Sequence, residues 1–168
     1  MSEAVITYHR LGERPARDYI TGVWTRRIRS ASLAVTVGGV GAGLVALPFL
    51  PAEIPTHFGF TGEADAWGPK WSLAIVLALW AALQVGLDVL SRHPRLYNYP
   101  APLTSANVQR LYRVGEQMMV WLCACVAIMF LGVVGMVLGL PSNALSIFAL
   151  VGTIVACFGG IIRLSNAS

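Results

Sequence analysis

Four apolar runs, each about 20 residues long, constrain this chain of 168 residues more than any other feature of its sequence. They cover residues 31–50, 71–90, 118–140 and 144–162. A helix that rises 1.5 Å per residue needs about 20 apolar residues to cross roughly 30 Å of hydrocarbon. A composition of 56% hydrophobic and only 12% charged residues also excludes an ordinary soluble domain. The sequence therefore predicts an all-α, polytopic membrane protein with four transmembrane helices.

The basic residues predict the orientation of these helices, because Lys and Arg near helix ends are retained on the cytoplasmic side. Eleven of the 12 basic residues precede the first run, separate the second from the third, or follow the fourth: Arg10, Arg14, Arg17, Arg26, Arg27, Arg29, Arg92, Arg95, Arg110, Arg113 and Arg163. Only Lys70 lies between the first two runs. We expect an N-in/C-in protein with a structured external loop at 51–70 and a cytoplasmic loop at 91–117. The net charge of +4 then favours membrane lipids with anionic head groups as partners, and no nucleic acid.

The chain divides into a basic cytoplasmic or juxtamembrane segment, 1–30, and a four-helix membrane domain, 31–168. Apolar residues from Ile20 to Ile28 recur at helical spacing, which predicts a helix that lies on the inner leaflet or runs straight into the first span. The pair Arg26-Arg27 ahead of an apolar run also raises the possibility of a cleaved export signal. The run is as long as a true span, so a retained signal-anchor helix is the better interpretation.

A second amphipathic helix is predicted to lead into the third span, with Thr104 or Ser105 as its N-cap. Small residues recur at four-residue spacing in three of the runs, at Gly39 and Gly43, at Gly135 and Gly139, and at Gly152, Ala156 and Gly160. Such faces let helix backbones approach closely. They predict a compact bundle, but they could equally serve a homo-oligomer or a larger membrane complex.

Polar residues inside the spans are few. Gln84 and Asp88 lie four residues apart on one face of the second helix, and Asp88 can pair with Arg92 at the same spacing. A buried carboxylate in a membrane is a functional candidate by default, although pairing near the interface is the simpler interpretation here. No second ionisable residue lies deep in a predicted span, so a proton relay or an ion pathway is not expected. The three cysteines, all within apolar runs, are expected to be small apolar fillers: Cys123, Cys125 and Cys157.

The loop between the first two runs carries most of the remaining chemistry. Imidazole and carboxylate groups fall within 13 residues of one another, at Glu53, His57, Glu63 and Asp65. They could bind zinc or do acid–base work, but the spacing matches no known metal motif and no nucleophile accompanies a base. We expect no metal, no cofactor and no catalytic residue. The structural interpretation is a loop of glycine turns in which Asp65 either caps a turn or pairs with Lys70 or His57.

The order of residues in this loop resembles a known family. Ile54-Pro55-x-His57-Phe58, Gly62, Asp65-x-Trp67-Gly68 and Lys70, placed between two spans, are similar to the domain found in SdpI-type bacteriocin-immunity proteins. A weaker similarity is Asn98-Tyr99-Pro100 followed by Asn107 and Leu111-Tyr112. Founding members have more helices and a second conserved region, so this chain looks like a short relative.

The resemblance implies a small multi-pass protein of the bacterial inner membrane that protects against a membrane-active toxin peptide, in some cases by holding a repressor at the membrane. The expected ligand-binding residues are His57, Phe58, Asp65, Trp67 and Lys70, with Phe60 as a further apolar anchor. Two other classes stay open: an accessory structural subunit of a larger membrane complex, and a metal-dependent membrane enzyme. We expect recognition of a ligand at the outer face, not turnover.

Overall fold

The computed structural model describes residues 5–59 and 61–167. In this part of the chain four helices are long and apolar enough to cross a membrane, as predicted. They are α1 (Val23–Ala46), α2 (Trp71–Ser91), α3 (Val108–Val137) and α4 (Asn143–Ser165). Short strands form two antiparallel pairs that were not predicted: β1 (Thr7–Tyr8) with β4 (Leu103–Thr104), and β2 (Glu53–Phe58) with β3 (Ala64–Pro69).

Two helices begin earlier than their apolar runs. The helix α1 starts at Val23, so the amphipathic segment before the first run continues straight into the span. The helix α3 has 30 residues, or about 45 Å at 1.5 Å per residue, which is longer than the hydrocarbon layer. Its N-cap is Asn107 and not the predicted Thr104 or Ser105, because Thr104 belongs to β4.

Small residues set the contacts between neighbouring helices. A Cβ at Gly39 would overlap the Trp80 ring, and one at Gly43 would lie 2.8 Å from Leu77, so α1 and α2 are in contact at these glycines. A Cβ at Gly160 of α4 would likewise overlap the Met118 side chain of α3. The small faces of α1 and α4 are therefore occupied by contacts within the chain. They do not by themselves indicate a homo-oligomer.

The bundle has two ends with different chemistry. The hairpin end carries β2, β3 and the α3–α4 turn, and its core packs Ile54 against Leu73, Leu77 and Trp80. The other end gathers the N-terminus of α1, the C-terminus of α2, the N-terminus of α3 and the C-terminus of α4. It carries the eleven arginines, and we call it the arginine-rich end.

A folded cap covers the arginine-rich end. We define the cap as residues 5–22 together with 92–107. The β1–β4 pair joins its two parts, and Arg14 Nη1 donates hydrogen bonds to the carbonyl oxygens of Arg95 and Tyr97 at 2.7 and 2.8 Å. Tyr19 and Leu103 are buried against the first turns of α3 and the end of α4. The N-terminal segment is thus an integral part of the fold at this end.

Candidate functional site

The segment 53–69 forms a β-hairpin, and its irregular register positions the candidate ligand-binding residues. The pairing shifts on both sides of His57, between Pro55 and His57 and again between His57 and Phe58. At the tip, Gly59 N–H donates to the Glu63 carbonyl at 2.9 Å. Gly62 has φ +89°, a conformation that glycine adopts without steric cost.

His57 and Asp65 form an exposed pair on this hairpin. The distance from His57 Nδ1 to Asp65 Oδ1 is 2.5 Å, and the two side chains are 70% and 51% exposed. In the neutral tautomer that fits this contact, Nδ1–H donates to the carboxylate and Nε2 is left as an acceptor that faces solvent. Of the two partners predicted for Asp65, the structure selects His57.

Lys70 lies apart from this pair. Its Nζ donates to the carbonyl oxygens of Pro48 and Leu50 at 3.1 and 3.3 Å, beyond the C-terminal end of α1. These carbonyls have no partner inside the helix, and a cation close to them is favourable. In the structure Lys70 therefore anchors the base of the hairpin to α1, rather than joining His57 and Asp65 in a common binding group.

The aromatic residues divide between surface and interior. Trp67 is 63% exposed and Trp71 is 65% exposed, as expected for indoles at a membrane interface. Phe58 is half-buried and lines a small cavity of about 70 Å³ between the hairpin and the ends of α2 and α3. Phe60 lies outside the described residues.

The hairpin is held to the bundle at three points. Ile54 is only 2% exposed and belongs to the core of α2 and α3. Lys70 binds the segment that follows α1, and Asn143 Nδ2 at the start of α4 donates to the Thr61 carbonyl at 3.0 Å. The His57–Asp65 pair is therefore presented on a fixed support. Within the described residues no group of three His, Cys, Asp or Glu side chains comes together.

A second polar group lies inside the bundle near the arginine-rich end. Arg29 Nη2 of α1 is 2.8 Å from Glu116 Oε1 of α3, and Arg29 Nε is 3.6 Å from Asp88 Oδ1 of α2. Arg92 pairs with Asp88 at 3.0 Å, as predicted, and the Thr21 hydroxyl donates to Glu116 Oε1 at 2.8 Å. We call these five residues the ion cluster.

The ion cluster brings together ionisable residues that lie at the ends of the predicted spans, whereas the sequence indicated only the pair of Asp88 with Arg92. Arg29, Asp88 and Glu116 are 8%, 9% and 1% exposed. The sequence placed Arg29 and Glu116 just outside the apolar runs, and both helices extend past those runs. A signal was present, since Glu116 lies at the end of the amphipathic segment that precedes the third run, but its burial depends on the packing of three helices. Each carboxylate of the cluster is paired with a guanidinium, and these contacts tie α1, α2 and α3 together.

The residues of the weaker sequence similarity lie in the cap and in the first turns of α3, and they make structural contacts. Tyr99 Oη donates to the Pro94 carbonyl at 2.8 Å, and its ring centroid lies 5.8 Å from that of Tyr112. Asn107 accepts a hydrogen bond from Thr104 N–H at 2.8 Å. Burial raises the pKa of the Tyr97 and Tyr99 phenols well above their ordinary value.

Comparison with known proteins identifies one region of similarity. Residues 34–82 match the family model of a domain of unknown function, DUF1648. No curated protein and no solved structure matches the chain. The matched segment is less than a third of the chain and comprises about the C-terminal half of α1, the whole hairpin and about the first half of α2. The chain has the architecture of a multi-pass membrane protein, and it is similar to this domain in the region that carries His57 and Asp65.

Proposed function

We propose that this chain is a protein of the bacterial inner membrane that binds a cationic, membrane-active peptide at the outer face and protects the cell against it. The observation that carries the proposal is the exposed His57–Asp65 pair on a hairpin fixed to the bundle. The contact of the pair lies within the hairpin and faces solvent, whereas Lys70 and Ile54 join the hairpin to the helices. Exposed polar groups held in one geometry are typical of recognition surfaces.

The charge of the hairpin supports a cationic ligand. Glu53, Glu63 and Asp65 are exposed, and the one basic residue, Lys70, is engaged with carbonyl groups. Opposite charge accelerates and orients the encounter with a ligand. A peptide ammonium or amide N–H could donate to His57 Nε2 or to the carboxylate of Asp65.

The aromatic residues support an amphipathic ligand. Trp67 lies directly beyond the pair on β3, and Trp71 follows at the start of α2, both exposed at the level expected for the outer head groups. Aromatic side chains dominate the energetics of binding surfaces. The apolar face of a peptide that has settled in the outer leaflet would reach Trp67 while its charged face meets Asp65. The resemblance of the loop sequence to that of SdpI-type immunity proteins supports the same role.

The test compares conservative variants of the pair with a matched control. His57→Gln and Asp65→Asn keep the size of each side chain and remove the imidazole or the charge, while Ala66→Ser alters the exposed residue paired with His57 in the register. In bacteria that express equal amounts of membrane-inserted protein, the two pair variants should lose protection against cationic membrane-active peptides. Binding to purified protein should weaken roughly thirtyfold, corresponding to about 2 kcal/mol for a central contact. Ala66→Ser should behave as the unaltered protein. Full protection by both pair variants would contradict the proposal and would mean that the pair has only a structural role in the hairpin.

A second candidate is an accessory subunit of a larger membrane complex, and the exposure of α4 favours it. In the apolar 18-residue segment of α4 only 11% of the residues are buried, against 28% in the corresponding segment of each of the other three helices. Phe148 and Phe158 of α4 are 75% and 66% exposed. A partner helix could cover this face. Purification from native membranes in a mild detergent distinguishes the two, because a subunit should copurify stoichiometrically with one partner, and Phe148→Ala with Phe158→Ala should release it.

A further inference from the structure

A groove runs between α3 and α4 on the outside of the bundle, next to the arginine-rich end. The two helices approach closely at Gly152, where a Cβ would lie 3.2 Å from Cys125 Sγ, and at Gly160 beside Met118. Because these glycines have no side chain, the surface beside the contact is recessed. The resulting groove has a volume of about 410 Å³ and a lining that is apolar apart from its end at Arg163.

The length of the groove matches one leaflet. On α3 it extends from Val114 to Cys125, and on α4 from Gly152 to Arg163, which is eleven residue steps on each helix. At 1.5 Å per residue this is about 16 Å, or roughly half of a 30 Å hydrocarbon layer. With Arg163 at the interface, the groove would reach about to the bilayer centre at its Gly152 end. An acyl chain of one leaflet has this extent.

The Arg163 end of the groove carries a positive charge that is held in place. Arg163 is exposed, and its Nη2 donates to Gln117 Oε1 at 2.8 Å, which fixes the guanidinium above the groove. Within residues 5–59 and 61–167 no carboxylate forms an ion pair with Arg163. Trp121, on the same wall, is 52% exposed and offers an indole near the interface.

We propose that this groove binds one acyl chain of an anionic phospholipid, whose phosphate pairs with Arg163. A guanidinium is suited to bidentate contact with a phosphate. A helix from a second copy fits less well, because a membrane-spanning partner needs contact through both leaflets, and the groove ends at Gly152. The small residues of α4 that would receive such a helix are already in contact with Cys125 and Met118.

The first experiment measures lipid selectivity. The protein is reconstituted in vesicles of equal phosphatidylglycerol and phosphatidylcholine, extracted in mild detergent, and its retained lipids are counted by native mass spectrometry. We expect one phosphatidylglycerol retained preferentially, and about a fivefold smaller preference in Arg163→Gln, since one basic residue near the surface changes affinity by about that factor. Equal retention of both lipids, retention of neither, or an unchanged preference in Arg163→Gln would overturn the proposal.

A second pair of variants separates the groove from the charge. A Cβ at Gly159 meets open space, so Gly159→Leu should fill the groove without displacing α3. Gly86 of α2 also has open space around it and lies outside the groove, so Gly86→Leu is the matched control. Gly159→Leu should lose the bound lipid whatever its head group, and Gly86→Leu should retain it. A dimer of the unaltered protein that dissociates in Gly159→Leu, without retained lipid, would assign the groove to a second copy instead.

Discussion

Arg29 connects three helices near the arginine-rich end of the bundle. Its guanidinium contacts Glu116 and lies beside Asp88, so one side chain from α1 serves carboxylates on both α2 and α3. Removing one partner of a buried ion pair costs more than the pair itself contributes, because the remaining charge stays buried without compensation. This asymmetry makes Arg29 the most informative single position for stability.

Arg29→Gln should lower the free energy of unfolding by about 3–5 kcal/mol, since it leaves two buried carboxylates with reduced compensation. Denaturant titration of the protein in detergent micelles measures the change. Arg27→Gln is the control, because Arg27 is exposed and lies over the Trp24 ring at 5.2 Å, a contact worth about 0.5–1 kcal/mol. Adding Glu116→Gln to the Arg29→Gln variant should recover part of the loss. Equal effects of the two arginine variants would mean that the ion cluster does not stabilise the bundle.

At the level of elements, adjacent glycines in α1 have different environments. Gly39 faces α2, and its α-carbon approaches Trp80, whose ring stacks on Phe130 at a centroid distance of 5.8 Å. A Cβ added at Gly38 would have no heavy atom of a neighbouring element within 4 Å. The sequence indicated a face of small residues on α1. Only the packed structure shows that this face contacts α2.

Gly39→Ala should destabilise the bundle by about 1–3 kcal/mol, because the new methyl group overlaps a tryptophan that is itself fixed by stacking. Gly38→Ala should be neutral or stabilising by up to about 1 kcal/mol through helix propensity. Thermal unfolding in micelles compares the two. A similar loss for both variants would show that α1 tolerates no side chain at either face, contrary to the contact described.

The cap should respond to alkaline pH through Tyr97 and Tyr99. Their pKa values are raised by burial, so the folded cap keeps protons that the unfolded chain loses above its ordinary tyrosine pKa of about 10. The unfolded state then binds fewer protons, and stability falls as the pH rises above that value, while below it the contribution is complete. Tyrosinate absorbance at high pH follows this directly.

The measurement uses a variant with both Tyr97→Phe and Tyr99→Phe. In the folded protein just above pH 10 this variant should have the same tyrosinate absorbance as the unaltered chain, because neither residue ionises there. After unfolding it should lose about two of the five tyrosine signals. A loss of that size in the folded state would mean that the two phenols are accessible to solvent.

For the whole molecule, the separation of charge between the two ends predicts its direction in the membrane. The folded cap and the ion cluster gather the arginines at one end, and the hairpin end carries Lys70 alone among basic residues. The retention of Lys and Arg in the cytoplasm would place the hairpin outside. The proposed peptide binding requires this direction.

Cysteine labelling in intact cells tests the direction. In a background with Cys123, Cys125 and Cys157 replaced by alanine, Glu63→Cys places a thiol on the exposed hairpin, and Ala106→Cys places one on the exposed cap. A membrane-impermeant maleimide should label Glu63→Cys and should label Ala106→Cys only after lysis. The reverse pattern would place the arginines outside and would contradict both the orientation and the proposed function.

The sequence by itself determined the number and approximate position of the four helices, because a run of about 20 apolar residues has few alternatives to a spanning helix. It also determined that Asp88 can meet Arg92, a contact within one helix, and brought His57 and Asp65 into the same short loop. The tertiary structure decided which partner Asp65 takes, directed Lys70 to the end of α1, and placed Arg29 of α1 between Glu116 of α3 and Asp88 of α2. Local patterns specify contacts a few residues apart, whereas contacts 87 residues apart, such as Arg29 with Glu116, depend on how the helices pack.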